Sequence, residues 1–214
     1  MGKIFIMGPS GIGKTTLAEY ISKRRRIPFE IGSSKVLWEK YNIKNHEDLL
    51  NLEPDVSLKF QYELLDIRRD ISINNPNFVS DRSVVDNAVY FLMQCSPFLD
   101  EGKCQEYINT CQFDINQALK DPANKFIYLS VPKEGYEIEN DGMRINNLYY
   151  QDWLTGSIFD RLIKDKLLTN KFNYNNFLVI DEWDWEARVK MVDTFLDESP
   201  WERFCNKVRN FIFL

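Results

Sequence analysis

Residues Gly8-Pro9-Ser10-Gly11-Ile12-Gly13-Lys14-Thr15 set glycines, a lysine and a hydroxyl at the eight-position spacing of a Walker A loop. Each residue type has a task in holding a nucleoside triphosphate. Gly8 and Gly13 permit backbone torsions that other residues avoid, so the N–H groups from Ser10, Gly11 and Ile12 through to Thr15 and Thr16 turn inward around an anion. A helix opening at Lys14 points its positive end at the same phosphates. Lys14 places a compact cation between the β- and γ-phosphates, and the Thr15 hydroxyl ligates Mg²⁺. The implied small molecules are therefore ATP and Mg²⁺.

Two carboxylates compete for the second role. Asp81 ends the run Phe78-Val79-Ser80 and continues into Arg82 and Ser83. Asp181 ends Phe177-Leu178-Val179-Ile180 and continues into Glu182, in the manner of a Walker B motif of an ATP-driven machine. Position favours Asp81. It follows one long crossover, as expected for the strand beside the Walker A strand, whereas Asp181 belongs to the last strand and reads as a helix cap. Phosphoryl transfer asks for one carboxylate that orients an acceptor hydroxyl, takes its proton and reaches Mg²⁺ through water. Arg82 is a candidate for an anionic or polar substrate group, with a plain surface salt bridge as the alternative.

A third constellation, Asp141-Gly142-Met143-Arg144, follows an acidic loop. A lid over ATP needs an arginine to meet charge developing on the transferred group and a glycine to let it move. Arg144 is the candidate, and a solvated turn is the alternative. Aromatic residues make up 14% of the chain. Tyr149, Tyr150, Trp153, Trp183, Trp185 and Trp201 fall late in the chain, mostly as core residues, with one or two available to stack on a base.

The elements that must position these residues alternate. Lys3–Met7 reads as a buried strand, followed by the glycine loop and a helix from about Lys14 to Lys23. Pro28–Ile31 is a short strand. Val56, Phe60, Leu64, Ile67 and Ile71 mark a long helix broken at Asn74-Asn75-Pro76. Asn77–Ser80 is a strand with a helix from about Val84, and a further helix spans roughly Asp100 to Leu119. Lys125–Val131 is a strand, Asn147–Leu168 a helix, Phe177–Ile180 a strand and Trp185–Leu196 a helix. Ser199-Pro200-Trp201-Glu202 has the form of a helix start. Strands alternating with helices imply an α/β fold with a parallel sheet covered on both faces and ligands beyond the carboxyl ends of the strands.

Composition narrows the classes. A chain of 214 residues with 44% apolar content suits one packed domain, 1–214, with a lid at about 133–146. The formal charge of −5 argues against a protein dominated by nonspecific nucleic-acid binding. The dense basic runs, Lys23 to Arg26 and Arg68-Arg69, read as solvated helix ends. The four cysteines, Cys104 and Cys111 among them on one helix face, read as core thiols, and the single histidine, His46, excludes mechanisms needing two. The Ile4–Met7 run is too short to span a membrane, and residue 6 is Ile where myristoylation after Gly2 wants Ser or Thr. The expectation is a cytoplasmic protein without a membrane partner, monomeric or homodimeric.

Taken in order, Gly8–Thr16, Val79 to Asn87 with Asp81-Arg82-Ser83 inside it, Asp141 to Arg144, and Glu186-Ala187-Arg188-Val189 resemble the NadR-like nicotinamide-riboside kinase group, the AAA_28 type of P-loop kinase. Asp81-Arg82-Ser83 is also similar to thymidylate and deoxynucleoside kinases. The resemblance implies the P-loop NTPase fold of nucleoside/nucleotide-kinase type, with a five-stranded parallel sheet, flanking helices and a short lid. It implies an ATP-dependent kinase acting on a nucleoside- or nucleotide-like acceptor, with Asp81 as the base or substrate-orienting acid, Arg144 as lid arginine and Arg188 near the adenine. Two other readings stay open. Related kinases occur in bacteriophages, some phosphorylating hydroxymethylated pyrimidines in DNA. A nucleotide-driven switch or motor would use Asp181 and Glu182 instead.

Overall fold

The computed structural model describes residues 2–131, 156–162 and 176–197. The candidate lid with Gly142 and Arg144 lies outside the described residues, as do Tyr149, Tyr150, Trp153 and Trp201 and the helix start at Ser199. So does all of the helix expected over 147–168 except its 156–162 portion.

Five strands form one sheet: β1 (Ile4–Met7), β2 (Phe29–Glu30), β3 (Val79–Ser80), β4 (Lys125–Leu129) and β5 (Phe177–Ile180). Their order is β2-β3-β1-β4-β5, and every pairing is parallel. The flanking helices are α1 (Lys14–Arg25), α2 (His46–Leu50), α3 (Pro54–Asn74), α4 (Val84–Gln94), α5 (Glu101–Lys120), α6 (Ser157–Leu162) and α7 (Trp185–Asp197). Among the described residues no helix is long and apolar enough to cross a membrane.

The strand sequences explain the layering. β1 is apolar at every position because a central parallel strand is covered on both faces. Its alternate residues then divide between two cores. Ile4 and Ile6, with Ile127 and Leu129 of β4, pack against Leu17 and Ile21 of α1 and Val192 and Phe195 of α7. Phe5 and Met7, with Phe126 and Tyr128, pack on the opposite face against Val85 and Val89 of α4 and Phe159 of α6. Two further clusters fix α3: Phe60 and Leu64 meet Leu37, Trp38 and Leu49, while Leu65 meets Phe91, Tyr107 and Cys111.

Several local expectations change. The helix face expected from Val56 to Ile71 omits Val56, which is exposed, and includes Gln61 and Arg68, which are buried. Arg68 is therefore no solvated helix end, and its neighbour Arg69 is held by Asp114 of α5 at 2.6 Å. Lys23, Arg24 and Arg26 do lie exposed at the end of α1, where cations complement the helix dipole, but Arg25 is paired with Asp197 of α7. Cys111 and Cys95 are buried thiols, pushed up by desolvation to about 12 and about 11 respectively, which keeps them protonated and unreactive.

Candidate active site

The loop between β1 and α1 runs through three left-handed glycines, Gly8 at φ 139°, Gly11 at 80° and Gly13 at 87°. At Gly8 space adds to the torsional demand, because a Cβ there would lie 2.3 Å from the Leu129 carbonyl oxygen on β4. The loop thus presses against the neighbouring strand, and Gly13 is the N-cap residue of α1. Ile12 contributes only backbone: its side chain is fully buried in the core.

Lys14 is buried, with Nζ donating to the Gly8 carbonyl at 2.7 Å and to the Pro9 carbonyl. An ammonium has three donors and no acceptor, so in a shielded loop it takes the nearest carbonyls. Thr15 and Thr16 are exposed beside it, at the mouth of a cleft of about 750 Å³.

The register of the sheet brings the acid to the loop. β3 pairs with β1, so the residue after β3, Asp81, emerges beside the start of α1. Thr15 Oγ1 donates to Asp81 Oδ2 at 2.7 Å, and the Gly32 N–H in the loop after β2 donates to Asp81 Oδ1 at 3.0 Å. Asp181 is placed differently. It ends the edge strand β5 and is exposed, and the capping of α7 belongs to Asp184, whose Oδ1 accepts from the Ala187 N–H at 2.9 Å. Glu182 Oε1 accepts from the Trp183 and Asp184 N–H groups at 2.9 and 3.1 Å. Glu182 therefore organises the turn after β5.

Arg82 lines the cleft with both arms of its guanidinium engaged. Nη1 donates to Asp86 Oδ1 at 3.0 Å and Nη2 to Ser10 Oγ at 3.2 Å, with the Tyr90 ring 5.1 Å away. Ser10 Oγ also pairs with the Tyr90 hydroxyl at 2.9 Å, tying the phosphate loop to α4. Burial opposes the charge on Arg82, but Tyr90, Asp86 and Asp81 more than offset it and hold the guanidinium above its ordinary value. Asp86 is fully buried and also accepts from the Ser83 N–H and hydroxyl, closing a capping box at the start of α4.

Arg188 braces the phosphate loop from behind. It is buried, donates through Nη1 to the Ile12 carbonyl at 2.7 Å and through Nε to the Glu182 carbonyl at 2.5 Å, and stacks on Trp183 at 4.9 Å. The residue of this pair that lines the cleft is Trp183, not Arg188.

Beyond Asp81 the cleft changes character. Trp38, Phe60 and Leu64 line it together with the amides Gln61, Asn87 and Gln94 and with Arg68. Gln61 Oε1 is buried and, among the described residues, has no hydrogen-bond partner. None of these residues was assigned to the site from the sequence. The available signal was two polar residues, Gln61 and Arg68, on the helix face shared by Phe60 and Leu64.

The arrangement fits Mg·ATP. The site offers a hydroxyl and a carboxylate oxygen in contact, a pair of hard donors suited to a cation that also keeps phosphate and water ligands. Thr15 and Asp81 are the residues that would hold Mg²⁺, and Gly8 to Thr16 the segment that would hold the phosphates. The volume suits a nucleotide with a second small molecule beside it.

Solved structures share this architecture at low sequence identity. Deoxyadenosine kinase from M. mycoides, with the products dCMP and dCDP bound, superposes with a TM-score of 0.63 at 19% identity, covering 91% of this chain and 98% of that one. The same enzyme with dATP gives 0.61 at 20%, covering 92% and 100%. NadR protein in complex with NR gives 0.59 at 15%, covering 92% of this chain but 51% of NadR, so the present chain spans about half of that protein's length. A search of curated proteins gives no match. The AAA_28 family model, described as an AAA domain, matches residues 3–188. With the glycine loop, the neighbouring acid and the five-stranded parallel sheet all inside that span, the chain belongs to this P-loop family.

Proposed function

We propose that the chain is an ATP-dependent kinase that transfers the γ-phosphoryl group to a nucleoside- or nucleotide-like acceptor. The observation that carries this reading is the Thr15–Asp81 contact, which joins the phosphate loop to an acid at the boundary between the two halves of one cleft. One half offers a phosphate-binding backbone. The other offers aromatic and amide side chains suited to a planar heterocycle.

In this reading the acceptor oxygen attacks the γ-phosphorus while the bond to the β–γ bridging oxygen breaks, and the proton passes to Asp81 and on to solvent. The Asp81 carboxylate accepts two hydrogen bonds here and retains lone pairs for that proton. Lys14 exchanges its loop carbonyls for the β- and γ-phosphate oxygens. Thr15 and Asp81 would hold Mg²⁺, which would supply charge neutralisation at the phosphates. Arg82, held by Asp86, faces the acceptor, and the role proposed for Arg144 is to meet the charge that develops on the transferred group.

The ligands of the similar structures, NR in one and deoxynucleotides in the other, favour a small acceptor. So does the engagement of three of the arginines that duplex DNA would recruit, Arg25 with Asp197, Arg69 with Asp114 and Arg68 buried, which leaves only Lys23, Arg24 and Arg26 of the two basic runs exposed. The test is transfer of labelled γ-phosphate across nucleosides, nucleotides, nicotinamide riboside and duplex carrying hydroxymethylated pyrimidines. Label in a free nucleoside or nucleotide supports the proposal. Label only in the duplex moves the acceptor to DNA, and acceptor-independent phosphate release stimulated by a macromolecule replaces the kinase with a motor.

A further inference from the structure

Gly32 sits in the loop after β2, and its backbone is not left-handed, so its requirement is for space. A Cβ there would lie 2.6 Å from Arg82 Cβ and 3.0 Å from Ser80 Oγ. The loop is pressed against the end of β3 at the point where Gly32 N–H meets Asp81 Oδ1 at 3.0 Å. The Gly32 carbonyl, on its other side, is gripped by Arg68 of α3 through Nη2 at 2.6 Å and Nε at 3.1 Å. The remaining arm of Arg68, Nη1, reaches the Ser83 carbonyl at 3.2 Å and Asn87 Oδ1.

Among the described residues Arg68 has no carboxylate in hydrogen-bond contact: its partners are two carbonyls and an amide. Burial of the guanidinium is costly, and desolvation pushes it down to about 10. A charge held at such a cost against backbone oxygens suggests a demand for fixed geometry, since the planar fork sets direction as well as distance.

We infer that Arg68 is a positioning residue that orients Asp81 through Gly32. Its fork pins the loop after β2, the pinned Gly32 N–H fixes Asp81 Oδ1, and Oδ2 is thereby directed at Thr15. This rests on Asp81 being the acid that orients the acceptor hydroxyl. Without the pin the carboxylate turns about its two side-chain bonds and the loop lifts from Arg82. Misplacement of a reacting group by about 1 Å costs on the order of 100-fold in rate.

The test combines kinetics with amide hydrogen exchange on Arg68→Met, Arg68→Lys, Gly32→Ala and Asp81→Asn, and on Arg68→Met with Asp81→Asn. Arg68→Met should lower kcat roughly 30- to 100-fold while both KM values move less than about threefold. Arg68→Lys, which keeps a donor, should recover part of the loss. Once Asp81 is Asn, adding Arg68→Met should cost less than about threefold more, because the two substitutions disrupt one chain of contacts. The Gly32 amide should exchange about tenfold faster or more in Arg68→Met and in Asp81→Asn. If Arg68→Met does not fold, Gly32→Ala carries the same comparison by forcing the loop away from Arg82. A raised acceptor KM with kcat retained would make Arg68 a direct acceptor contact and overturn the inference, as would additive losses or an unchanged Gly32 exchange rate. If no acceptor is phosphorylated, the kinase reading falls, and the exchange rates still decide whether Arg68 holds Gly32 on Asp81.

Discussion

Lys14 Nζ lies in a site only 5% exposed, donating to the Gly8 carbonyl at 2.7 Å and to that of Pro9. A phosphate drawn into the loop competes directly for those donors, and the ammonium exchanges neutral oxygens for charged ones, about twice as strong as partners. Lys14→Met keeps most of the stem's volume and removes only the cation. It should lower phosphoryl transfer by at least about 100-fold, the loss of roughly 3 kcal/mol of transition-state stabilisation. Thermal melting should move little, and the two measurements made on one preparation check the expectation. The glycine loop and its turn from β1 into α1 were legible in the sequence because one kind of ligand dictates residue type and spacing together. Gly32, Gln61, Asn87 and Arg68 were not, because their significance depends on which loops and helices meet after folding. Arg68 as a string beside Arg69 looks like surface charge, and only the company of Phe60 and Leu64 on α3 marks it as interior.

Helix α4 carries its own anchor. Asp86 is fully buried, closes the capping box with Ser83 and holds Arg82 at 3.0 Å. Removing one partner of a buried charge pair strands the other, and losing the cap frees backbone donors. Asp86→Ala should therefore destabilise the fold by about 3 kcal/mol or more. Asp86→Asn, which keeps an oxygen for the Ser83 N–H, should cost less. Urea unfolding of both variants measures the difference, and equal stability of Asp86→Ala and the natural chain would contradict the assigned anchor. All five strands were readable: β1, β4 and β5 as apolar runs, and β2 and β3 as short segments set off by Pro28 and Gly32 and by Pro76. Helix α2, of five residues, was not read: it is too short for a period and is announced only by the Asn45–Asp48 capping box. The order of strands was not readable either, since it is set by pairings between residues far apart in the chain.

For the whole molecule the strand order decides which acid meets the phosphate loop. β1 lies between β3 and β4, so Asp81 emerges beside the phosphate loop, while β5 lies at the sheet edge with Asp181 exposed. The sequence supported the same preference through crossover length, yet Asp181-Glu182 remained a credible rival as a string. What separates them in space is contact: Thr15 Oγ1 reaches Asp81 Oδ2 at 2.7 Å, whereas Glu182 Oε1 is spent on the Trp183 and Asp184 amides. The central claim is that phosphoryl transfer runs at the Thr15–Asp81 junction. Its most direct test sets Asp81→Asn beside Asp181→Asn, measuring kcat for acceptor phosphorylation and the affinity for ATP in each. Asp81→Asn should lose about 100-fold or more in kcat with ATP affinity kept within a few fold, and Asp181→Asn should stay within about twofold of the natural chain. A large loss for Asp181→Asn with full activity in Asp81→Asn would contradict the account and give the chemistry to the β5 acids.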